Sequence, residues 1–234
     1  MAFKKNLRKV DSAYLGLRDP FLKSISKNKS ILHVGCTDFP FAEVSINNET
    51  LLHKKLLDET AMLVGIDIDK SGLDYLEKEL PGLYIYGDLC NSDVRKKLFQ
   101  YQIDLILVPD VIEHVPNQFH FIEGLLDLAL NLQAELIITT PNQYSFKAML
   151  AALAGLDYTH TDHRLIHNVT TLRTAIVVDF NVSETNFQVD YASRDIKARY
   201  GNFMSTVSRI FDKFFFVTPY LADTVIVTVK PQIK

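Results

Sequence analysis

Residues 30–40 read SILHVGCTDFP, from Ser30 to Pro40, and this stretch decides the fold. Ile31, Leu32 and Val34 form a short apolar run that stops on Gly35. The chain then passes into Thr37, Asp38 and Pro40. A buried strand that ends on glycine and gives way to turn residues is a place where backbone can approach a ligand closely. A dinucleotide loop of the G-x-G-x-x-G type would place further glycines where this chain has Thr37 and Pro40. The turn therefore lacks the glycines that cradle a pyrophosphate.

Downstream, apolar runs alternate with helical patterns. Ala61–Ile68, Leu83–Tyr86, Ile103–Val108 and Ala134–Thr140 read as strands two to five. Helical periodicity lies between them at 49–59, 71–80, 92–99 and 119–132, with Ser71 as an N-cap. Runs that are apolar throughout, separated by helices, indicate a parallel sheet covered on both faces. Residues 38–48 show little periodicity and read as a long loop, while 144–154 and 169–179 read as helices. Two late strands are expected at 181–191 and 223–230, with an aromatic helical stretch at 200–216 between them. The expectation is a Rossmann-like, doubly wound α/β domain with a mostly parallel seven-stranded sheet. It covers 29–234, with residues 1–28 as an N-terminal helical cap.

Composition narrows the function classes. Of 234 residues, 47% are hydrophobic, ample for one core, and the formal net charge is −3. Such a balance gives no global attraction to nucleic acid or to an anionic membrane. One basic cluster, Lys4, Lys5, Arg8 and Lys9, reads as a solvated arm. Cys36 and Cys90 form no C-x-x-C pair, which argues against a disulfide framework or a zinc site. No apolar run reaches signal-peptide or membrane-span length, so a cytoplasmic, soluble protein without stable membrane insertion is expected.

Ligands of doubly wound sheets sit outside the carboxyl ends of the strands. Those ends carry Gly35, Asp67, Asp88, Asp110 and Asn142. Asp67 can accept hydrogen bonds from ribose hydroxyls, and Asp88 from an exocyclic amine, with Leu89 packing on the base. Asp88 could equally cap the next helix or close an Asx-turn.

Taken in order, ILHVGCTD, VGIDID, YGDLC, IDLILVPDVIEHV and LIITTPN resemble the successive motifs of class I S-adenosylmethionine-dependent methyltransferases, over about residues 30–190. The LLHKKL and THTDHRLIHNVTTL segments resemble a small-molecule subgroup found with polysaccharide and lipopolysaccharide biosynthesis. The resemblance implies S-adenosyl-L-methionine as cofactor. His33, Val34, Gly35 and Cys36 would line the turn beside its methionine part. Asp67 and Ile68 would hold the ribose end, Asp88 and Leu89 the adenine, and Asp110 and Val111 would lie beneath the sulfonium and adenosine.

Methyl transfer from a sulfonium needs an in-line nucleophile and exclusion of water more than covalent help. A hydroxyl acceptor must also lose a proton, so a base is useful. His163 and His114 are the candidates, with Glu113 third. The segment His160, Asp162, His163 could be a base with its orienting carboxylate, a divalent metal site or an exposed loop; no metal is expected. His53 reads as a helix-face residue or a pocket residue, and Cys36 as a packing residue. Phe211, Phe214, Phe215 and Phe216 suit core or the interface of a homodimer. The implied activity is O-directed methyl transfer to a small, sugar-like acceptor. Its rival is a catalytically silent nucleoside-binding protein with the same fold. A nicotinamide oxidoreductase is disfavoured by the missing pyrophosphate glycines.

Overall fold

The computed structural model describes residues 11–194 and 213–231. The N-terminal basic cluster, Phe211 and most of the aromatic stretch at 200–216 lie outside them. Chain order runs β1 (Tyr14–Leu17), α1 (Arg18–Ser26), β2 (Ser30–Val34), α2 (Ala42–Asn47), α3 (Leu52–Leu57), β3 (Met62–Asp67), α4 (Lys70–Glu79) and β4 (Leu83–Tyr86). It continues with α5 (Ser92–Leu98), β5 (Leu105–Pro109), α6 (Gln118–Leu132), β6 (Glu135–Pro141), α7 (Phe146–Leu153), α8 (Val169–Arg173), β7 (Phe187–Ser193) and β8 (Thr224–Val229).

These strands make one eight-stranded sheet in the order β1-β7-β8-β6-β5-β2-β3-β4. β8 is antiparallel to both β6 and β7, and the other pairings are parallel. The α/β class therefore stands, with one strand more than the expected seven. The extra strand is β1, in a segment whose pattern predicted helix. Tyr14 and Leu17 instead pair with Tyr191 and Ser193 at the sheet edge, and helix begins only at Arg18.

Side-chain alternation explains why both faces are covered. Ile31, Leu63, Leu105, Leu107, Ile137 and Ile226 point to one face, against Leu22 of α1 and Leu52 and Leu56 of α3. Their neighbours Leu32, Val64, Ile66, Ile106, Val108, Leu136 and Ile138 point to the other, against Phe121, Ile122, Leu125 and Leu128 of α6 and Leu172 of α8. The central strands β2, β3, β5 and β6 are apolar at consecutive positions because both faces are dry, whereas β4 at the sheet edge is partly exposed.

Three local expectations need correction. The predicted loop after Gly35 contains α2, whose Ala42 and Ile46 pack with Leu51, Leu73 and Leu76. Its six residues are too few to show a period. Ser71 lies inside α4, whose N-cap is Asp69. Beyond Arg173 the eighth helix widens into a π-helical turn at Thr174–Asp179.

Successive strands step outward from β2 to β3 and β4 in one direction and from β5 to β6 in the other. The order reverses between β2 and β5, the switch point at whose carboxyl ends ligands of such sheets bind.

Candidate functional site

Gly35 leaves β2 with φ +73° and donates its N–H to the Ile66 carbonyl at 2.9 Å. An added Cβ would lie 2.4 Å from Val111 Cγ2, so the glycine is required both by its left-handed backbone and by the residue across the crevice. The other three turn residues named from sequence are buried: His33, Val34 and Cys36 are at most 5% exposed. Their side chains serve packing, and only their backbone can reach a ligand. Alternation along β2 sends the His33 ring beneath the sheet, where Nδ1 meets His53 Nδ1 at 3.0 Å. Burial drives both imidazoles toward the neutral form, His33 well below its ordinary pKa and His53 to about 4. Burial likewise pushes the Cys36 thiol well up, consistent with a packing residue.

Asp67 ends β3 almost fully buried. Its Oδ2 accepts from the Thr37 N–H at 3.0 Å and from Thr37 Oγ1 at 2.9 Å, while Oδ1 accepts from the Asp69 N–H at 3.0 Å. A carboxylate offers roughly four acceptor positions, so the side chain both braces the turn and keeps capacity for one further donor. Ile68 beside it is 69% exposed, an apolar side chain at the crevice wall. Asp88 is exposed, and one of its oxygens closes an Asx-type bond to the Cys90 N–H at 2.8 Å. The cap of α5 is Asn91, not Asp88. Leu89 is buried in the core.

Asp110 follows β5 with φ +53°. Its Oδ2 accepts from Arg18 Nη1 and from Arg194 Nη2, the latter at 2.6 Å, and its Oδ1 accepts from Thr139 Oγ1 at 3.0 Å. Burial pushes this carboxyl up, but Arg18 and Arg194 outweigh it and hold the group below the usual range. Arg18 also binds Asp19, which accepts from Lys55 Nζ at 2.9 Å. This chain of charges ties the start of α1 and the end of β7 to the tip of β5. Sequence reasoning missed both arginines, because they stand 92 and 84 residues from Asp110.

His114 and His163 come together with ring centroids 4.9 Å apart, edge to face. Asp162 bridges His160 and His114, the latter at 3.3 Å. The His163 loop is fastened by the Arg164 N–H, which donates to the Glu113 carbonyl at 2.7 Å. Burial, then the neighbouring His114, lower the His163 pKa. Glu113 is 1% exposed, and its Oε2 accepts from Thr140 Oγ1 at 3.1 Å while Oε1 has no partner among the described residues. Burial and then the Asp110 charge push its carboxyl up to about 8. Asn142, by contrast, is structural: its amide donates to the Tyr220 and Ala222 carbonyls, each at 2.8 Å.

No protein-family model and no curated protein sequence matches the chain. Solved structures do match by shape. The small RNA methyltransferase HEN1 superposes with a TM-score of 0.57 at 17% identity over 93% of this chain, which spans only 25% of that one. The methyltransferase domain of a bacterial Hen1 gives 0.52 at 17% identity over 90% of this chain and 94% of that one. The plantazolicin methyltransferase BamL, solved with a desmethyl-plantazolicin analogue and S-adenosylhomocysteine, gives 0.52 at 14% identity over 92% and 83%. At these identities the likeness concerns the fold, which is the Rossmann-like fold of methyltransferases.

Proposed function

We propose that the chain binds S-adenosylmethionine in the β2/β5 crevice and transfers its methyl group to a small acceptor, a sugar-like hydroxyl in particular. The observation that carries the reading is the convergence at one switch point of the Gly35 turn, the braced Asp67 carboxylate, exposed Ile68 and Asp110. The cofactor has one nucleoside and an amino-acid tail, so a single glycine suffices where a pyrophosphate would need more.

In this reading Gly35 brings backbone against the methionine tail. Asp67 accepts a ribose hydroxyl with its remaining capacity, and Ile68 packs on the nucleoside. Asp88 offers its second oxygen to the adenine amine beside Leu89, and Asp110 with Val111 floors the crevice. When bound, the cofactor supplies an electrophilic methyl. The protein's part is to align the acceptor oxygen, exclude water and receive the hydroxyl proton. His163 and His114 stand at the acceptor end for that last task. Structural neighbours carry the names of a small RNA methyltransferase and a plantazolicin methyltransferase, so they support the reaction class and leave the acceptor to this chain's own residues.

One observation favours a second reading. Thr37 spends its backbone N–H and hydroxyl on Asp67, as expected of a silent scaffold whose ribose site is filled by its own loop. Incubation with methyl-labelled S-adenosylmethionine and a panel of sugar nucleotides separates the two. Transfer of label to an acceptor hydroxyl supports the enzyme, and binding without transfer across the panel supports the scaffold.

A further inference from the structure

The crevice rim holds a group of side chains that cofactor binding does not use. One carboxylate oxygen of Glu113 and one ring nitrogen each of His114 and His163 lie within 4.8 Å of one another. Glu113 is buried to 1% exposure, yet its Oε1 has no hydrogen-bond partner among the described residues. A buried carboxyl oxygen without a hydrogen-bond partner is unfavourable, so this arrangement is poor as a purely structural one. Its neighbours do not relieve it. Thr140 donates to the other oxygen, and Arg18 and Arg194 bind the Asp110 carboxylate. The unsatisfied oxygen leaves room for a further partner, and a cation shared with the two imidazoles is one that fits.

We propose that Glu113, His114 and His163 form a site for a first-row divalent cation such as Zn2+, Mn2+ or Co2+. Two nitrogens and one oxygen suit these borderline ions, whereas Ca2+ and Mg2+ prefer all-oxygen shells. The parts are held independently of the ion. Glu113 and His114 are fixed by the short 3-10 turn Ile112–His114 after β5, and His163 by the Arg164 bond to the Glu113 carbonyl. Three protein ligands leave coordination positions for water or an acceptor oxygen. An acceptor oxygen bound there would be held in place and made more acidic, and with His114 and His163 occupied as ligands its proton would pass to solvent rather than to an imidazole. That role rests on the methyl-transfer reading; cation binding itself does not. A second set, His160, Asp162 and His163, shares His163 but is mostly exposed and has no orphaned buried oxygen. It is the competing arrangement.

Co2+ reports directly, since its visible absorption bands change in intensity with coordination geometry. Full-length protein titrated with Co2+ is expected to give a one-to-one spectrum that Zn2+ displaces. Glu113→Gln keeps the side-chain shape and is expected to weaken Co2+ binding at least roughly tenfold; His163→Ala is expected to do the same at a half-exposed position. His160→Ala is expected to leave affinity within about twofold, because this residue lies outside the proposed ligand set. Absence of a Co2+ spectrum with the wild-type protein overturns the inference. A spectrum lost in His160→Ala but kept in folded Glu113→Gln also overturns it, by assigning the ion to the exposed set. Calorimetry with S-adenosylhomocysteine on the same samples tests the cofactor reading separately.

Discussion

Gly35→Ala tests how tightly the crevice is built. The substitution incurs two separable costs. At φ +73° an alanine occupies left-handed backbone, which costs about 1–2 kcal/mol. Its Cβ would also stand 2.4 Å from Val111 Cγ2, too close to be absorbed without a shift of β2 or of the turn after β5. Overpacking of that kind costs about 1–3 kcal/mol, so Gly35→Ala should destabilise the fold by about 2–5 kcal/mol. The second cost vanishes if Val111 is shortened. In Gly35→Ala/Val111→Ala the clash is relieved and only the backbone cost remains, so a double-mutant cycle should show a favourable coupling of about 1–3 kcal/mol. Urea unfolding followed by far-UV circular dichroism and tyrosine emission suits a chain with ten tyrosines and no tryptophan. A Gly35→Ala protein within about 0.5 kcal/mol of wild type, or a cycle with no coupling, refutes the reasoning that backbone conformation and Val111 together demand glycine here.

Other outcomes follow from the buried polar groups. Folded His53 has its pKa lowered from 6.5 to about 4, so between those values the unfolded chain binds more protons and stability rises with pH. At about 1.36 kcal/mol per pKa unit, acidification from pH 6.5 to 4 should cost up to about 3 kcal/mol through this residue. Buried His33 and His167 add to the loss in the same direction. Urea titrations across that window check the slope, which should be shallower in His53→Phe; an unchanged slope in that variant counts against the buried pair. Arg18→Met should destabilise by about 3–5 kcal/mol, because it leaves Asp19 and Asp110 with one fewer counter-charge in a largely buried network. Asp110→Asn in the same background should recover part of that loss, and additive effects would deny the coupling. Thr37→Val should free Asp67 Oδ2 of one donor, loosening the turn by about 1 kcal/mol as read by thermal unfolding.

The sheet was legible because its strands are apolar on consecutive residues, which only a two-faced core produces. The runs after Ala61, Ile103 and Ala134 became interior strands, and the run at Leu83 the edge strand β4. β1 was not legible. A four-residue edge strand, with Tyr14 and Leu17 three apart, carries too little pattern to outweigh a helical reading. Among the described residues no helix is long and apolar enough to cross a membrane, in line with the absence of such a run in the sequence.

Site legibility divides the same way. Strand-end positions such as Gly35, Asp67 and Asp110 follow from topology, since a residue just past a parallel strand is delivered to one edge of the sheet. What each side chain does there depends on partners far along the chain. Asp67 is braced by Thr37 across 30 residues, and Asp110 is bound by Arg18 across 92. His33 left the turn because of strand alternation, which could have been read: it shares a face with Ile31, and that face is the one α3 covers. The meeting of His114 with His163 had only a weak signal, one histidine-bearing turn after β5 and a histidine-rich loop between α7 and α8. The orphaned Glu113 oxygen had none.

The measurement that bears most directly on the central claim is calorimetric titration of the full-length protein with S-adenosylhomocysteine, paired with the same titration of Asp67→Ala. The account predicts one-to-one binding by the wild type. It predicts affinity weakened by about 1–3 kcal/mol in the variant, the cost of leaving a buried ribose hydroxyl without its acceptor. Wild-type protein that binds neither S-adenosylhomocysteine nor S-adenosylmethionine contradicts the account, and equal affinity in Asp67→Ala removes the carboxylate at the end of β3 from the site.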